Sequence, residues 1–213
     1  MSIKQIAFDS ALEQAGLMQT VHQTDGFELS QLSSVTLLRL HSLQARTELN
    51  AALLSHGIEL PERINQASGQ DPAVLCLAPK EWLLFSEYLS VEQLQKQLQA
   101  AVQPGLSTLS HQTSAIALFR LKGNTVPWLL GKCCGLDFHQ GMILGQHCTR
   151  TRLDQAPAIL HYHQPGSGSG PFVFDVMIER SLAHYVWQLF LNYLPHAREL
   201  EQQHGSFLNG MIL

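Results

Sequence analysis

The chain has 213 residues, which is long enough for one large domain or for two small domains that share a core. Its net charge of −4 and the lack of any run of Lys and Arg exclude a general nucleic-acid-binding surface, and no apolar stretch reaches the ~18 residues that would cross a bilayer. Only 14% of the residues are charged, against about 25% in an average domain; this favours buried contact with another subunit, although a compact monomer fits the same composition.

The N-terminus and the cysteines bear on the cellular compartment. Residues 1–5 show no charged segment followed by an apolar one, so we expect no secretory signal. Two of the four cysteines, Cys133 and Cys134, are adjacent, and the set lacks the spacing of a secreted disulfide framework. We therefore expect the chain to work in the reducing cytoplasm.

The first part of the chain is predicted to contain three strands and two helices behind an N-terminal arm. Residues 1–34 form this arm, with a helical stretch around 7–18 followed by polar sequence. Ser90 suits the N-cap of the second helix, in which Leu94 and Leu98 lie on one face. The patterns predict strands at 35–40, 73–78 and 82–85, and helices at 45–54 and 91–102.

The order of elements then repeats in the second part. Strands are predicted at 115–121, 148–153, 158–163 and 172–178, and helices at 125–133 and 182–194, the last with Ser181 as its cap. Residues 37–40 align with 118–121 at an offset of 81, and Ser90 aligns with Ser181 at an offset of 91.

This repetition predicts an α+β fold of two pseudo-repeated half-domains, each an antiparallel sheet covered by helices, at residues 35–104 and 105–213. The second half includes a C-terminal helix and tail, and one compact unit is expected. The alternative is that two α+β segments share these patterns by chance.

Two sets of residues have the chemistry of metal ligands. His161 and His163 are two apart on a predicted strand, so both side chains point to one face, but the sequence identifies no third ligand. The pair Cys133 and Cys134, with His147 and Cys148 downstream, lacks the C-x-x-C spacing of zinc sites. We therefore predict no metal site, and interpret the histidines as surface or interface residues and the cysteines as small buried hydrophobes.

Three further features are interpreted from their local sequence context. The glycine-rich stretch 166–170 leads into a strand rather than a helix, so a hairpin loop is favoured over a phosphate cradle. Ser110 and His111 are neighbours on a strand and point to opposite faces, which argues against a nucleophile and its base. Arg180 precedes the last helix. Its side chain could stabilise the corner between the preceding strand and this helix, or form an ion pair at an interface.

Three passages resemble the gamma-subunit family of heterotetrameric sarcosine oxidase. Residues 77–84 read LAPKEWLL and are similar to that family's Leu-Gly-Pro-x-Glu-Trp-Leu-Leu hairpin. A second passage runs from Gly123 through LLGKCCGLD to Gly141, and a third begins at CTRTRL and continues through FDV and ERSLA to Tyr185 and Trp187. Together they cover about residues 35–194, and their order and spacing carry the resemblance.

The resemblance implies a fold shared with the folate-binding part of the glycine-cleavage T-protein. It also implies assembly with alpha, beta and delta subunits in a complex that demethylates sarcosine oxidatively to glycine, produces hydrogen peroxide and passes the one-carbon unit to tetrahydrofolate. In that complex FAD, FMN, NAD and tetrahydrofolate belong to other subunits, so no cofactor is expected in this chain.

Folate binding by this chain is not favoured by the residues at the matching positions. Relatives of the T-protein have a Gly-Gly and paired-acid stretch where this chain has residues 155–158, and an Asp-x-Ser-His where it has residues 108–111, beginning with Thr108. A carboxylate is the natural partner of a pterin's N–H donors, and neutral side chains lack that charge. A fold can persist without its site.

The sequence thus predicts a non-catalytic gamma-type subunit with no catalytic, cofactor-binding or metal-binding residue of its own. A stand-alone folate-binding or aminomethyltransferase-like protein is the alternative. We expect no nucleic-acid or membrane partner, and self-association of the isolated chain. Trp and Arg are frequent anchors of interfaces, and the candidates for interface or structural roles are Trp82, Arg150, Arg152, Arg180, Tyr185 and Trp187.

Overall fold

The computed structural model describes residues 22–24, 27–138, 147–163 and 171–204. Within these residues the strands are β1 (His22–Thr24), β2 (Phe27–Leu32), β3 (Thr36–Ser42), β4 (Ala67–Ser68), β5 (Ala73–Ala78), β6 (Glu81–Ser86), β7 (Ser107–His111), β8 (Ile116–Gly123), β9 (Cys148–Leu153), β10 (Ala156–His163) and β11 (Phe172–Glu179). The helices are α1 (Arg46–Leu54), α2 (Val91–Ala101), α3 (Val126–Cys133) and α4 (Ala183–His204), with a 3-10 turn at Arg180–Leu182 before α4.

The strands form two antiparallel sheets. The large sheet has the order β1-β2-β8-β11-β10-β9, and the small sheet has the order β4-β5-β6-β3-β7. Two strands pair outside their own part of the chain: β2 pairs with β8, and β7 pairs with β3. This exchange links the two parts, because each sheet contains one strand that comes from the other part of the chain.

The sheets pack face to face, and each is covered on its outer face by helices. The period of two in β3 explains the layers, since Leu37 packs between the sheets while Leu38 and Leu40 face α1 and α2. In β8, Leu118 packs between the sheets and Phe119 packs under α4, with its ring centroid 5.4 Å from that of Trp187. Each sheet is therefore apolar on both faces.

The starts of α2 and α3 agree with the predicted capping and first-turn residues, whereas the start of α4 does not. Ser90 accepts a hydrogen bond from Gln93 N, and the Gln93 side chain accepts one from Ser90 N, which completes a capping box at the start of α2. Pro127 lies in the first turn of α3, where the missing N–H is tolerated. The prediction that Ser181 caps the last helix is wrong, because Ser181 lies inside the 3-10 turn that precedes α4.

The sequence patterns located most elements, but they missed the polar strand β2 and gave no bounds for the polar strand β7. The mixed fold of antiparallel sheets covered by helices is confirmed. Residues 27–32 were assigned to the N-terminal arm, whereas they form β2 of the large sheet, and residues 107–111 form β7 of the small sheet. Pairing with β8 and β3 supplies the stabilisation that their own sequences lack. The helix predicted around 7–18 lies outside the described residues.

Candidate functional site

A cavity of about 800 Å³ opens at one end of the space between the two sheets. Its apolar floor belongs to the large sheet and consists of Ile116, Ile159 and Met177, which alternate with residues facing the helices. Its polar residues come from both sheets and from the corner after β11. They are Arg39, Gln112, Arg150, Thr151, Glu179, Arg180 and Ser181.

A shared carboxylate holds two of the cavity's arginines. Glu81, at the start of β6, forms an ion pair with Arg150 of β9, and thus links the two sheets. Arg39 Nε, on β3, lies 3.6 Å from the same carboxylate oxygen, which is too far for a hydrogen bond. This buried Nε donates to no acceptor among the described residues. Two guanidinium groups therefore share one carboxylate at the cavity rim.

A second charged cluster lies beyond the other end of β6. Asp175 of β11 is fully buried and accepts hydrogen bonds from Arg120 Nε at 2.7 Å and Arg120 Nη2 at 2.9 Å. Its Oδ2 atom lies 2.6 Å from His163 Nε2 and 3.8 Å from His161 Nδ1. Arg120 also pairs with Glu87, 2.8 Å away, on the small-sheet side.

Burial and contacts set the charges in this cluster. Burial alone would raise the pKa of Asp175, but its contacts with His161, His163 and Arg120 outweigh burial and hold that pKa well below its usual range. Desolvation lowers the pKa of the buried His161, so this ring is held neutral. Asp175 is therefore ionised and Arg120 neutralises it.

The same residues have the composition of a metal site. The ligand atoms of His161, His163 and Asp175 lie within 4.8 Å of one another, so Asp175 is the third ligand that the sequence did not identify. However, Arg120 already occupies both carboxylate oxygens, and a dication would have to enter beside this guanidinium. We interpret the cluster as a salt-bridge network between the sheets.

Three of the four cysteines are buried thiols, and Cys134 is half-buried. All four are free, and burial raises the pKa of both Cys133 and Cys148 to about 12, which favours the protonated form over the thiolate that binds zinc. In the described part of the chain, only the histidine–aspartate group brings three metal-ligating side chains together.

The Ser110–His111 pair is divided between the two faces of β7, as its spacing predicts. His111 Nε2 contacts Gln95 of α2 at 2.8 Å, whereas Ser110 Oγ accepts a hydrogen bond from Gln112 Nε2 at 3.2 Å. The two side chains therefore do not form a nucleophile and base. The glycine-rich stretch 166–170 lies outside the described residues.

The six candidate residues fall into three environments. Trp82 and Trp187 are almost completely buried in the two helix-covered cores. Arg150 and Arg180 line the cavity. On the surface, Arg152 Nη2 donates to Gln155 O at 2.7 Å, and the half-exposed Tyr185 donates a hydrogen bond to Asp154.

Sequence reasoning missed the charged residues that organise both clusters. The alignment of residues 37–40 with 118–121 superimposes Arg39 on Arg120, and both prove to be ion-paired arginines between the sheets. An arginine inside an otherwise apolar strand was the available signal. Their partners, Glu81 and Asp175, become evident only once the strand register is known.

Comparisons with known proteins identify the fold. No family model matches the chain, and no curated protein matches it. A chain of heterotetrameric sarcosine oxidase from Corynebacterium sp. U-96, solved with pyrrole 2-carboxylate, superposes with a TM-score of 0.72 at 21% identity, covering 89% of this chain and 95% of that one. The glycine cleavage system aminomethyltransferase T from Bartonella henselae superposes with a TM-score of 0.57 at 13% identity.

These matches confirm the predicted resemblance at the level of the fold. The alignment to aminomethyltransferase T covers 78% of this chain but only 45% of that protein, so this chain spans less than half of its length. No helix among the described residues has both the length and the apolar character needed to cross a membrane. The chain has the fold of a chain of heterotetrameric sarcosine oxidase, which is also found in part of aminomethyltransferase T.

Proposed function

We propose that this chain is a non-catalytic gamma-type subunit of a heterotetrameric complex resembling sarcosine oxidase. In this role it packs against alpha, beta and delta subunits in the cytoplasm, and those subunits hold the flavins, NAD and tetrahydrofolate. The complex oxidises sarcosine to glycine and transfers the one-carbon unit to tetrahydrofolate. The chain itself supplies folded surface and no catalytic group.

One observation carries this proposal: the superposition extends over nearly the whole of both chains. Because 89% of this chain covers 95% of the matched sarcosine oxidase chain, the two have closely similar lengths. The match is thus to a small chain of a heterotetramer rather than to a piece of a large one. The three sequence passages that resemble the gamma family support the same assignment.

The residues near the cavity give further support. Pro157 and Ala158 stand at the positions where T-protein relatives have acids. Both are uncharged residues of the cavity wall, and the Ala158 side chain packs in the helix-covered core. Thr108 is exposed on β7, where those relatives have Asp. Neither of these two stretches therefore supplies a carboxylate for a pterin's N–H donors.

The topology also supports the proposed repeat of two halves. Read from the exchanged strand, the small sheet is β7-β3-β6-β5-β4 and the large sheet contains β2-β8-β11-β10-β9. Each strand of the small sheet corresponds in its place in the sheet, and in its order along its half of the chain, to one strand of the large sheet. The exceptions are β2 and β7, each of which lies in the sheet of the other half. We infer that the halves are structural repeats of one unit.

Co-purification from the native cells tests the proposed function. A tagged chain should retain large flavoprotein partners, and the eluate should produce hydrogen peroxide when sarcosine is added. The chain expressed alone should be colourless, inactive on sarcosine and prone to self-association. Flavin absorbance in the pure chain, or a native eluate without flavoprotein, would contradict the proposal.

The alternative is a stand-alone folate-binding or aminomethyltransferase-like protein, and the cavity itself favours it. The space between the sheets has the size of a small-molecule site, and Glu179 supplies a carboxylate at its edge. Titration of the isolated chain with tetrahydrofolate separates the two functions. Saturable micromolar binding supports the alternative, and its absence supports the subunit.

A further inference from the structure

A groove of about 710 Å³ opens beside the turn that joins β5 and β6, and none of its lining residues lines the cavity between the sheets. Its floor contains Cys76 and Trp82, which belong to the helix-covered core of the small sheet. Its walls come from residues 43–46 at the start of α1, residues 61–64 after α1, and the turn at residues 79–80. The groove is therefore a feature of the small sheet and its surroundings.

Apolar side chains are exposed at the rim of this groove. Leu43 and Ile64 line it and are 56% and 47% exposed, and they are two of the six large apolar side chains that are exposed in the described part of the chain. Leu106, a third member of that set, lies next to Leu43, whose N donates a hydrogen bond to Leu106 O at 2.7 Å. Clustered apolar exposure of this kind is typical of a surface that contacts another protein.

Two cations at the groove have no partner among the described residues. Arg46 pairs with Glu62 at 3.1 Å and donates to Leu60 O, so the charges of this pair compensate each other. Arg63 and Lys80 line the same groove with exposed side chains, and neither side chain forms an ion pair or a hydrogen bond within the described part of the chain. The described lining residues thus leave two positive charges uncompensated, on a chain with a net charge of −4.

These charges and the apolar rim together select the occupant. Covering an unpaired cation is costly unless the covering group brings a carboxylate, so a neutral or basic surface is disfavoured here. A small carboxylate inside the groove would leave Leu106 exposed to water, because Leu106 lies outside the groove lining. A polypeptide segment with acidic residues beside an apolar side chain covers the rim and pairs with both cations.

We propose that this groove docks an acidic segment of a partner subunit, in which an apolar side chain lies against Leu43 and Ile64 and carboxylates pair with Arg63 and Lys80. The proposal rests on the proposed function, because it assigns part of the contact between subunits to one surface of this chain.

Competition for partner subunits in the native cells tests the groove. A tagged variant competes with the unaltered chain of the same cells, so the flavin retained per tagged chain measures relative affinity. Arg63→Glu and Lys80→Glu should each retain at least about tenfold less flavin than the tagged unaltered chain, with an equal loss of sarcosine-dependent hydrogen peroxide, since like charges would then face each other. Lys96→Glu, at an exposed position of α2 outside the groove, makes the same change of charge and should cause no loss.

The apolar part of the contact has its own pair of variants. Leu43→Ser should lower the retained flavin about tenfold, because it removes an apolar side chain that the partner covers. Leu54→Ser is the matched control, since Leu54 is 52% exposed but lies outside the groove, and it should retain as much flavin as the unaltered chain. Circular dichroism melting of each variant identifies any loss of fold.

The possible failures are distinguishable. Folded Arg63 and Lys80 variants that retain full flavin would refute the docking site and leave the subunit assignment intact. An unaltered tagged chain that retains no flavoprotein would refute the subunit assignment and the docking site with it. Sedimentation of the isolated chains detects a second copy as the occupant: a dimer that Arg63→Glu dissociates, with flavin retention unchanged, would overturn the assignment to a partner subunit.

Discussion

The carboxylate of Asp175 is fully buried, so its charge is compensated only by the few groups that surround it. Arg120 holds both of its oxygens and His163 holds one of them, while Arg120 continues to Glu87 on the small-sheet side. Desolvation of such a group is costly unless each partner is present. The residues of this network therefore contribute unequally to stability.

Replacing Asp175 by Asn should destabilise the chain by about 3–5 kcal/mol, because Arg120 loses the carboxylate that compensates its charge. Urea unfolding followed by tryptophan fluorescence measures the difference. Glu87→Gln removes the more exposed partner of the same arginine and should cost about 1 kcal/mol or less. A similar decrease in the free energy of unfolding for both variants would show that the burial of Asp175 does not determine how much it contributes to stability.

Stability should fall as the pH decreases from about 7 to 5. Burial lowers the pKa of His161 in the folded chain, so the unfolded chain binds a proton near its usual pKa of about 6.5 while the folded chain does not. The contribution of His161 is therefore complete above that pH and is lost below it. Asp175 affects stability at more acid pH. Because its pKa is lower in the folded chain than in the unfolded chain, its stabilising contribution is lost only as the pH falls far enough to protonate the folded carboxylate.

His161→Gln removes the titrating group and should flatten the pH dependence of stability between pH 7 and 5. His56→Gln, in the exposed turn after α1, is the control substitution. Urea unfolding at three pH values provides the measurement. An unchanged slope in the His161 variant would assign the pH dependence to other groups.

What the sequence could predict at this scale was the pair and not the network. The spacing of His161 and His163 places both rings on one face, and their centroids lie 4.3 Å apart. Asp175 is 12 residues from His163 and 55 residues from Arg120 in the sequence. These residues meet only when β11 pairs in register with β10 on one side and with β8 on the other. Local patterns contain no information on that register.

At the scale of single elements, the local sequence was sufficient to predict a strand or helix wherever that segment has a clear apolar pattern or a capping residue. The continuous apolar run at 73–78 gave β5 its observed bounds, the bounds predicted for β9 match those observed, and Ser90 marked the start of α2. The polar strand β7 lies at the edge of the small sheet and is held by pairing with β3 alone, so its own sequence contains little sign of it. Tertiary pairing outweighs strand propensity there.

Ser90→Ala should destabilise the chain by about 1 kcal/mol, since it removes the side-chain acceptor of the capping box. Ser181→Ala is a suitable control, because Ser181 is exposed within the 3-10 turn and caps no helix, so its loss should be below about 0.5 kcal/mol. Thermal unfolding of both variants measures the two effects. Equal destabilisation would restore Ser181 as a cap.

At the scale of the whole molecule, the exchanged strands and the ion pairs at the two ends of β6 join the sheets. Glu81, at the start of β6, pairs with Arg150 of the large sheet, and Glu87, just beyond its end, pairs with Arg120 of the same sheet. Between them lies the apolar layer that contains Leu37, Phe85 and other residues from both sheets. The sequence predicted two halves, but the exchange of β2 and β7 requires contacts between residues far apart in the chain.

The chain should therefore unfold in one transition, although the sequence divides it at residue 104. A fragment of residues 1–104 lacks β7, the neighbour of β3, and leaves the inner face of the small sheet without its partner; residues 105–213 lack β2, the neighbour of β8. Scanning calorimetry should give one peak with equal calorimetric and van't Hoff enthalpies. Each fragment alone should show no cooperative melting. Two resolved peaks, or a fragment that melts cooperatively, would mean that the layer between the sheets is dispensable to each half.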